Sequence, residues 1–218
     1  MGHATATFLL ALPALFSIVN PPGAAFIFNE VTAHLTPGQR QELSRKVAVY
    51  SLGMMLGAMW VGTYIMEFFG VSLAALRIAG GGVVALSAFD LLNAPERTQA
   101  RKQQQAESSE GGDVASMAFF PLTLPFTTGP GTIAVCVALG AKRPHEAANL
   151  VGFALGASGA ALAMAVVIWL SYRSADRIAG LLGPTARTTF ARLSAFLLLC
   201  IGVQIVIAGI GEAMHEIR

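Results

Sequence analysis

The sequence predicts an all-α integral membrane protein with six transmembrane helices arranged as two inverted three-helix repeats, the first and fourth helices broken at Pro/Gly motifs. Three observations predict it. Of 218 residues, 55% are hydrophobic and only 12% charged, and the mean hydropathy is +0.64, too apolar for an ordinary soluble domain. Asn20-Pro21-Pro22-Gly23 interrupts the apolar run from Phe8 to Phe28, and about 108 residues later Thr128-Gly129-Pro130-Gly131 interrupts a second run, Met117 to Leu139. At that same offset Pro13 matches Pro121, Pro22 matches Pro130 and Gly23 matches Gly131.

The first span is expected from about Ala6 to Val31, hinged at residues 20 to 23. Met1 to Thr7 lacks a basic n-region, so this run reads as a mature span and not a signal peptide. Thr36-Pro37-Gly38 reads as a polar loop, followed by a basic helical lead-in, Gln39 to Lys46. The second span, Val47 to Phe69, carries Gly53-Met54-Met55-Leu56-Gly57, a small-xxx-small pattern whose plain reading is close helix packing. Gly70 closes it. The third span, Leu73 to Leu92, holds Gly80-Gly81-Gly82; three glycines lower helix propensity by about 1 kcal/mol each relative to alanine, a loss that implies close packing, with the first-span break as the expected partner.

Residues 94–115 are polar, charged and without apolar periodicity, and read as a flexible cytoplasmic linker between a first repeat, 1–93, and a second, 116–218. The fourth span, Ser116 to Leu139, is rich in proline: Pro121, Pro125 and Pro130. The fifth, Glu146 to Ser171, has a second GxxxG at Gly152 and Gly156, and the sixth runs from Phe190 to Ala213. Three spans per half force the second half to start on the opposite side, which gives an inverted repeat of the sort common in secondary transporters. Arg40, Arg45, Lys46, Arg97, Arg101, Lys102, Arg173, Arg177 and Arg187 fall on one side, which the positive-inside rule makes cytoplasmic, with both termini outside.

Several chemistries are excluded. A net charge of +2 with no dense basic cluster gives no case for nucleic acid. Cys136 and Cys200 stand singly in apolar runs, and His3, His34, His145 and His215 fall at span ends, so neither a redox pair, a metal site nor any cofactor is expected. No phosphate-binding GxxxxGK[ST] motif is present. A membrane enzyme would need a nucleophile with a base, and Ser17 and Thr128 have no such partner readable in the chain.

The breaks do carry a chemistry. Pro21 and Pro22 free the carbonyls of Ser17 and Ile18, Pro130 that of Phe126, and inside hydrocarbon such groups need a partner or a water-filled cavity. Half-helices starting at the breaks would converge at the membrane centre with free N–H groups and partial positive charge, a place for an anionic group, while the freed carbonyls would accept from an ammonium. Together they suit a zwitterion. The candidate binding residues are Ser17, Asn20, Pro21, Pro22, Gly23, Thr127, Thr128, Gly129, Pro130, Gly131 and Thr132, with Gly80, Gly81 and Gly82 packed against the break. A plainer alternative is that Asn20 and the threonines merely satisfy the broken backbone. Asp90 is a candidate proton carrier, or else a helix-end carboxylate in headgroup water; Arg77 and Arg192 can snorkel, and binding roles for them are left open.

The run Ala14 to Gly23, the segment Phe69-Gly70-Val71-Ser72 to Arg77-Ile78-Ala79-Gly80-Gly81, and Pro121-Leu122-Thr123-Leu124-Pro125 leading to Gly129-Pro130-Gly131 resemble the MarC family of six-span bacterial inner-membrane proteins. Where that family has Asn-Pro-x-Gly, this chain has proline at the variable position. The resemblance implies a transporter of small neutral amino acids such as glycine and alanine in the inner membrane, and the two broken helices suggest alternating access about a midplane site. Proton or sodium coupling, a homo-oligomer, a re-entrant course for the broken segments, export of drugs or other small metabolites, and a passive channel are left open by the residues.

Overall fold

The computed structural model describes residues 2–93, 117–144, 146–175, 177 and 184–216, and every regular element among them is helical. In chain order they are α1 (His3–Val19), α2 (Pro21–Val31), α3 (Pro37–Phe68), α4 (Leu73–Asn93), a π-helical segment (Ala118–Thr127), α5 (Pro130–Gly140), α6 (Ala147–Arg173) and α7 (Pro184–Glu216). The linker expected at 94–115 lies outside the described residues. Four stretches are long and apolar enough to cross a membrane: His3–Phe26, Pro37–Phe68, Asn149–Arg173 and Ala195–His215. Leu73–Leu86 and Pro130–Gly140 are shorter apolar helices.

Thr36-Pro37-Gly38, expected as a loop, is instead the start of α3. Thr36 is its N-cap: the Gln39 N–H donates to the Thr36 hydroxyl, the Gln39 side chain accepts from the Thr36 N–H at 3.0 Å, and Pro37 takes the first helical position, where a missing N–H costs nothing. α3 ends at Phe68 and is stopped by Gly70, as expected. With φ +63° this glycine is left-handed, and the bonds Val71 N–H to Met66 and Gly70 N–H to Glu67 form a Schellman stop.

Packing departs from the pattern of a soluble domain. Small residues share the interior with large ones, Ala11, Ala157, Ala160 and Ala161 being buried beside Leu15, Phe28 and Met164, while Phe68, Leu10 and Leu155 stand outward, 84%, 73% and 67% exposed. Lipid tails are as apolar as leucine, so large side chains gain little by turning inward and helices associate through close backbone approach. α1 lies against α6, α3 against both α5 and α6, and α4 against α7. α3 and α6 run antiparallel: Trp60 meets Phe153 edge to face, 6.2 Å between ring centroids, at one end, while Arg45 and Trp169 share a surface cup at the other.

Two glycine readings need correction. Gly152 and Gly156 do admit a neighbour, α1, at His3, Ala4 and Thr7, but Gly53 and Gly57 meet nothing within 4 Å and face outward. α3 instead approaches α5 through Gly62, which receives Val137, and Gly140, which receives the Met59 backbone. The triple glycine does not serve the first break. A Cβ on Gly80 would stand 2.7 Å from the Ala134 methyl on α5; one on Gly81 would stand 2.8 Å from the Gly202 carbonyl oxygen on α7; Gly82 meets nothing within 4 Å. Three adjacent residues on a helix point in three directions, 100° apart, so they cannot all face one partner.

Gly202→Leu should force α4 and α7 apart, since a Cβ there would lie 2.6 Å from the Ala85 amide nitrogen. Overpacking of this kind costs about 1–3 kcal/mol. Thermal unfolding in detergent should show a clear fall in midpoint for Gly202→Leu and none for Gly57→Leu, which meets open space.

Candidate functional site

Each break has its own construction. At the first, α1 runs on through Pro13 to Val19, and Asn20 takes φ 46°, ψ 62°, the one left-handed non-glycine among the described residues. Asparagine tolerates that region better than other side chains with a Cβ. Its N–H still donates to the Phe16 carbonyl at 3.0 Å and its carbonyl accepts from Ala24 N–H at 2.9 Å, so a single residue turns α1 into α2. Pro21 and Pro22 then occupy the first two helical positions. They have no N–H, so the carbonyls of Ser17 and Ile18 lack their usual donors, and Gly23 is left with the one free amide of this helix start.

The second break is looser. Phe120 and Leu124 are extended, with φ and ψ of −125°, 125° and −111°, 125°. Each precedes a proline, which disfavours the helical region for the residue before it. The segment widens to π pitch, and three threonine hydroxyls donate to carbonyls five residues back: Thr123 to Ala118 at 2.7 Å, Thr127 to Leu122 at 2.7 Å, Thr128 to Thr123 at 3.1 Å. Gly129 is the N-cap of α5 and carries no side chain to cap it; Pro130 follows, and the first helical bond runs from Ile133 N–H to the Gly129 carbonyl. The N–H groups of Gly131 and Thr132 have no hydrogen-bond partner among the described residues, and both residues are buried. Nor does the Thr132 hydroxyl, on a residue only 3% exposed.

The structure brings the two breaks together. A Cβ on Gly131 would strike Val84 of α4 and stand 3.2 Å from the Ile18 Cδ1, two residues before the first turn. Pro21, Gly23, Thr127, Thr128, Gly131 and Thr132 are buried, and Asn20, Pro22 and Gly129 are half-buried; Ser17 and Pro130 stand exposed. Thr127 and Thr128 spend their hydroxyls on the broken backbone, the plainer of the two roles foreseen for them. Asn20 has its own backbone role, while its carboxamide makes no hydrogen bond with a described residue. Asp90 is carried by the last turn of α4, and its side chain lies outside the description. Arg77 is paired: its guanidinium donates to Glu212 of α7 at 2.9 Å. Both partners are partly exposed, so the pair is worth no more than about 1 kcal/mol. Among the described residues no group of histidine, cysteine or carboxylate side chains could hold a metal ion.

Three participants escape a reading by composition. Tyr172, 3% exposed near the end of α6, places its hydroxyl 2.6 Å from that of Thr127, and its ring stacks on Phe28 of α2 with centroids 4.6 Å apart. This clamp joins both broken segments to α6. Thr123 is the third. The usable signal is the doubled Pro-x-Thr of Pro121-Leu122-Thr123 and Pro125-Phe126-Thr127, a hydroxyl two residues after each missing N–H.

A helical membrane protein built on two juxtaposed helix breaks is the class these features define. The family model described as the MarC family integral membrane protein matches residues 5–214. Similar relatives are the inner membrane proteins MarC of Citrobacter koseri, 32% identical over 207 residues, and of Salmonella paratyphi A, 33% identical, each match covering 93% of both chains. That of Escherichia coli O1:K1 is 32% identical over the same span. The chain belongs to the MarC family. No solved structure matches it.

Tyr172→Phe keeps the stack and loses one hydrogen bond, so unfolding in detergent should show a loss of about 0.5–1.5 kcal/mol, whereas Tyr172→Ala should lose about 3–5 kcal/mol. At the first break Asn20→Gly should be nearly neutral. Asn20→Val should lose at least about 1–2 kcal/mol, because a β-branched residue resists the left-handed region.

Proposed function

We propose that this chain is a secondary transporter of small neutral amino acids in the bacterial inner membrane, six spans in two inverted repeats, working by alternating access about the two breaks. The carrying observation is the buried, uncapped start of α5, where the N–H groups of Gly131 and Thr132 and the Thr132 hydroxyl have no partner among the described residues. Two adjacent amides at a helix start match the two oxygens of a carboxylate and hold it without a buried lysine or arginine. The first break offers the complement: carbonyls of Ser17 and Ile18 without helical donors and the free Asn20 carboxamide, acceptors for an ammonium.

This gives the site a polarity. With two prolines at its start, α2 has a single free amide against two on α5, so the carboxylate belongs at the second break and the ammonium at the first. Close contact of Gly131 with Ile18 and Val84 favours a ligand with little side chain. The inverted repeat is supported by pairwise packing: α1 on α6 answers α3 on α5 and the π segment, while the α3–α6 and α4–α7 pairs map onto themselves when the halves are exchanged. The names of the relatives support the inner membrane.

Liposomes containing the purified chain should take up radiolabelled glycine and alanine saturably, with dependence on an imposed proton or sodium gradient. Thr132→Val removes one donor to a charged group, worth about 1.5–3 kcal/mol, so the KM for glycine should rise at least about tenfold; Gly131→Leu should abolish uptake. Absence of uptake by folded protein for every small neutral amino acid would overturn the substrate assignment.

A further inference from the structure

At the arginine-rich end of the α3–α6 pair lies a surface cup of about 500 Å³ lined by Gly38, Gln41, Glu42, Arg45 and Trp169. The Arg173 guanidinium covers the Trp169 ring, 5.3 Å from its centroid. Glu42 is neutralised by Lys46 at 2.7 Å, whereas Arg45 and Arg173 make no ion pair among the described residues. Arg45 thus lines the cup beside the indole that Arg173 covers, and because Lys46 meets the charge of Glu42, the two guanidinium groups leave an excess of positive charge around the cup.

The surface leading from the cup is apolar. On α3, Val49 lies one turn beyond Arg45 on the same face and is 60% exposed, and Gly53, a further turn on, leaves open space. On the antiparallel α6, Leu162 and Val166 lie on the Trp169 face and are also exposed. A cup with arginines at its edge, roomy enough for a whole phospholipid headgroup, thus opens onto an apolar track. Tryptophan with arginine is an arrangement suited to the headgroup level of a bilayer.

We propose that this cup is a binding site for an anionic phospholipid, its phosphodiester held by Arg45 and Arg173 and an acyl chain lying along Val49 and Gly53 against α6. The site is independent of the transport reading. The chain has two tryptophans, and Trp60 stands on the opposite end of the pair against Phe153, so Trp60→Phe leaves Trp169 as a fluorescent reporter of the cup.

In that background, the full chain should be reconstituted with phosphatidylglycerol or phosphatidylcholine brominated on the acyl chains, diluted in unlabelled phosphatidylcholine. Quenching of Trp169 should show an apparent affinity for brominated phosphatidylglycerol about fivefold or more above that for phosphatidylcholine, since each arginine near a lipid surface contributes roughly that factor. Arg45→Gln/Arg173→Gln should abolish the preference, and Arg45→Lys/Arg173→Lys, which keeps the charge, should retain most of it. Equal quenching by the two lipids, or a preference that survives the glutamine pair, would overturn the proposal. Loss of the preference on adding millimolar inorganic phosphate would also overturn it, because the cup would then hold the free anion.

Discussion

A backbone carbonyl or amide in hydrocarbon without a partner costs several kcal/mol, and this chain places six prolines, Pro13, Pro21, Pro22, Pro121, Pro125 and Pro130, in its two interrupted helices. Each removes a donor. Everything distinctive about the structure answers that constraint: the left-handed Asn20, the π pitch of residues 118–127, the threonine hydroxyls turned onto carbonyls, and the Tyr172 clamp that holds the result against α2 and α6. Amides without a helical partner remain at the two helix starts, which lie side by side, and among the described residues the buried hydroxyls of Ser51 and Thr63 on α3 also lack a partner.

The two breaks are unequal solutions to one problem. Asn20 turns the chain in a single residue and keeps both neighbouring helices in α geometry, so the first break is compact. Pro121 and Pro125, four residues apart, each extend the residue before them, so the second spreads its disruption over a whole segment and relies on side-chain hydroxyls to close it. Proline at position 22 takes one more amide from the first helix start. The consequence is two amides without a helical partner at the start of α5 and a single one at the start of α2.

Much of this was legible in the chain. The paired breaks, the stop at Gly70 and the burial of Gly23, Thr127, Thr128, Gly131 and Thr132 follow from proline, glycine and hydropathy, which act locally and so leave a local trace. Partners across the fold leave none: the triple glycine turned to α5 and α7 instead of the first break, and Gly53-x-x-x-Gly57, identical in pattern to Gly152-x-x-x-Gly156, faces outward while its counterpart grips α1. Thr36-Pro37-Gly38 reads as a loop because proline and glycine are breakers, yet behind a capping threonine the same residues begin a helix. A hydroxyl beside a break is ambiguous for the same reason, since whether it meets a ligand or its own backbone depends on geometry that spacing does not fix. The doubled Pro-x-Thr of Pro121 to Thr123 and Pro125 to Thr127 sets a hydroxyl two residues after each proline, and both hydroxyls go to the backbone.

The central claim is that the amides of Gly131 and Thr132 hold a carboxylate. The most direct measurement is the nitrogen-15 chemical shift of glycine- and threonine-labelled protein in bicelles, titrated with alanine and, in parallel, with ethylamine, which lacks the carboxylate. The account predicts saturable shifts of Gly131 and Thr132 with alanine, a smaller one at Gly23, and none at Gly131 or Thr132 with ethylamine. Shifts at those two amides that are equal for both ligands, or absent with alanine while other glycines move, would contradict it.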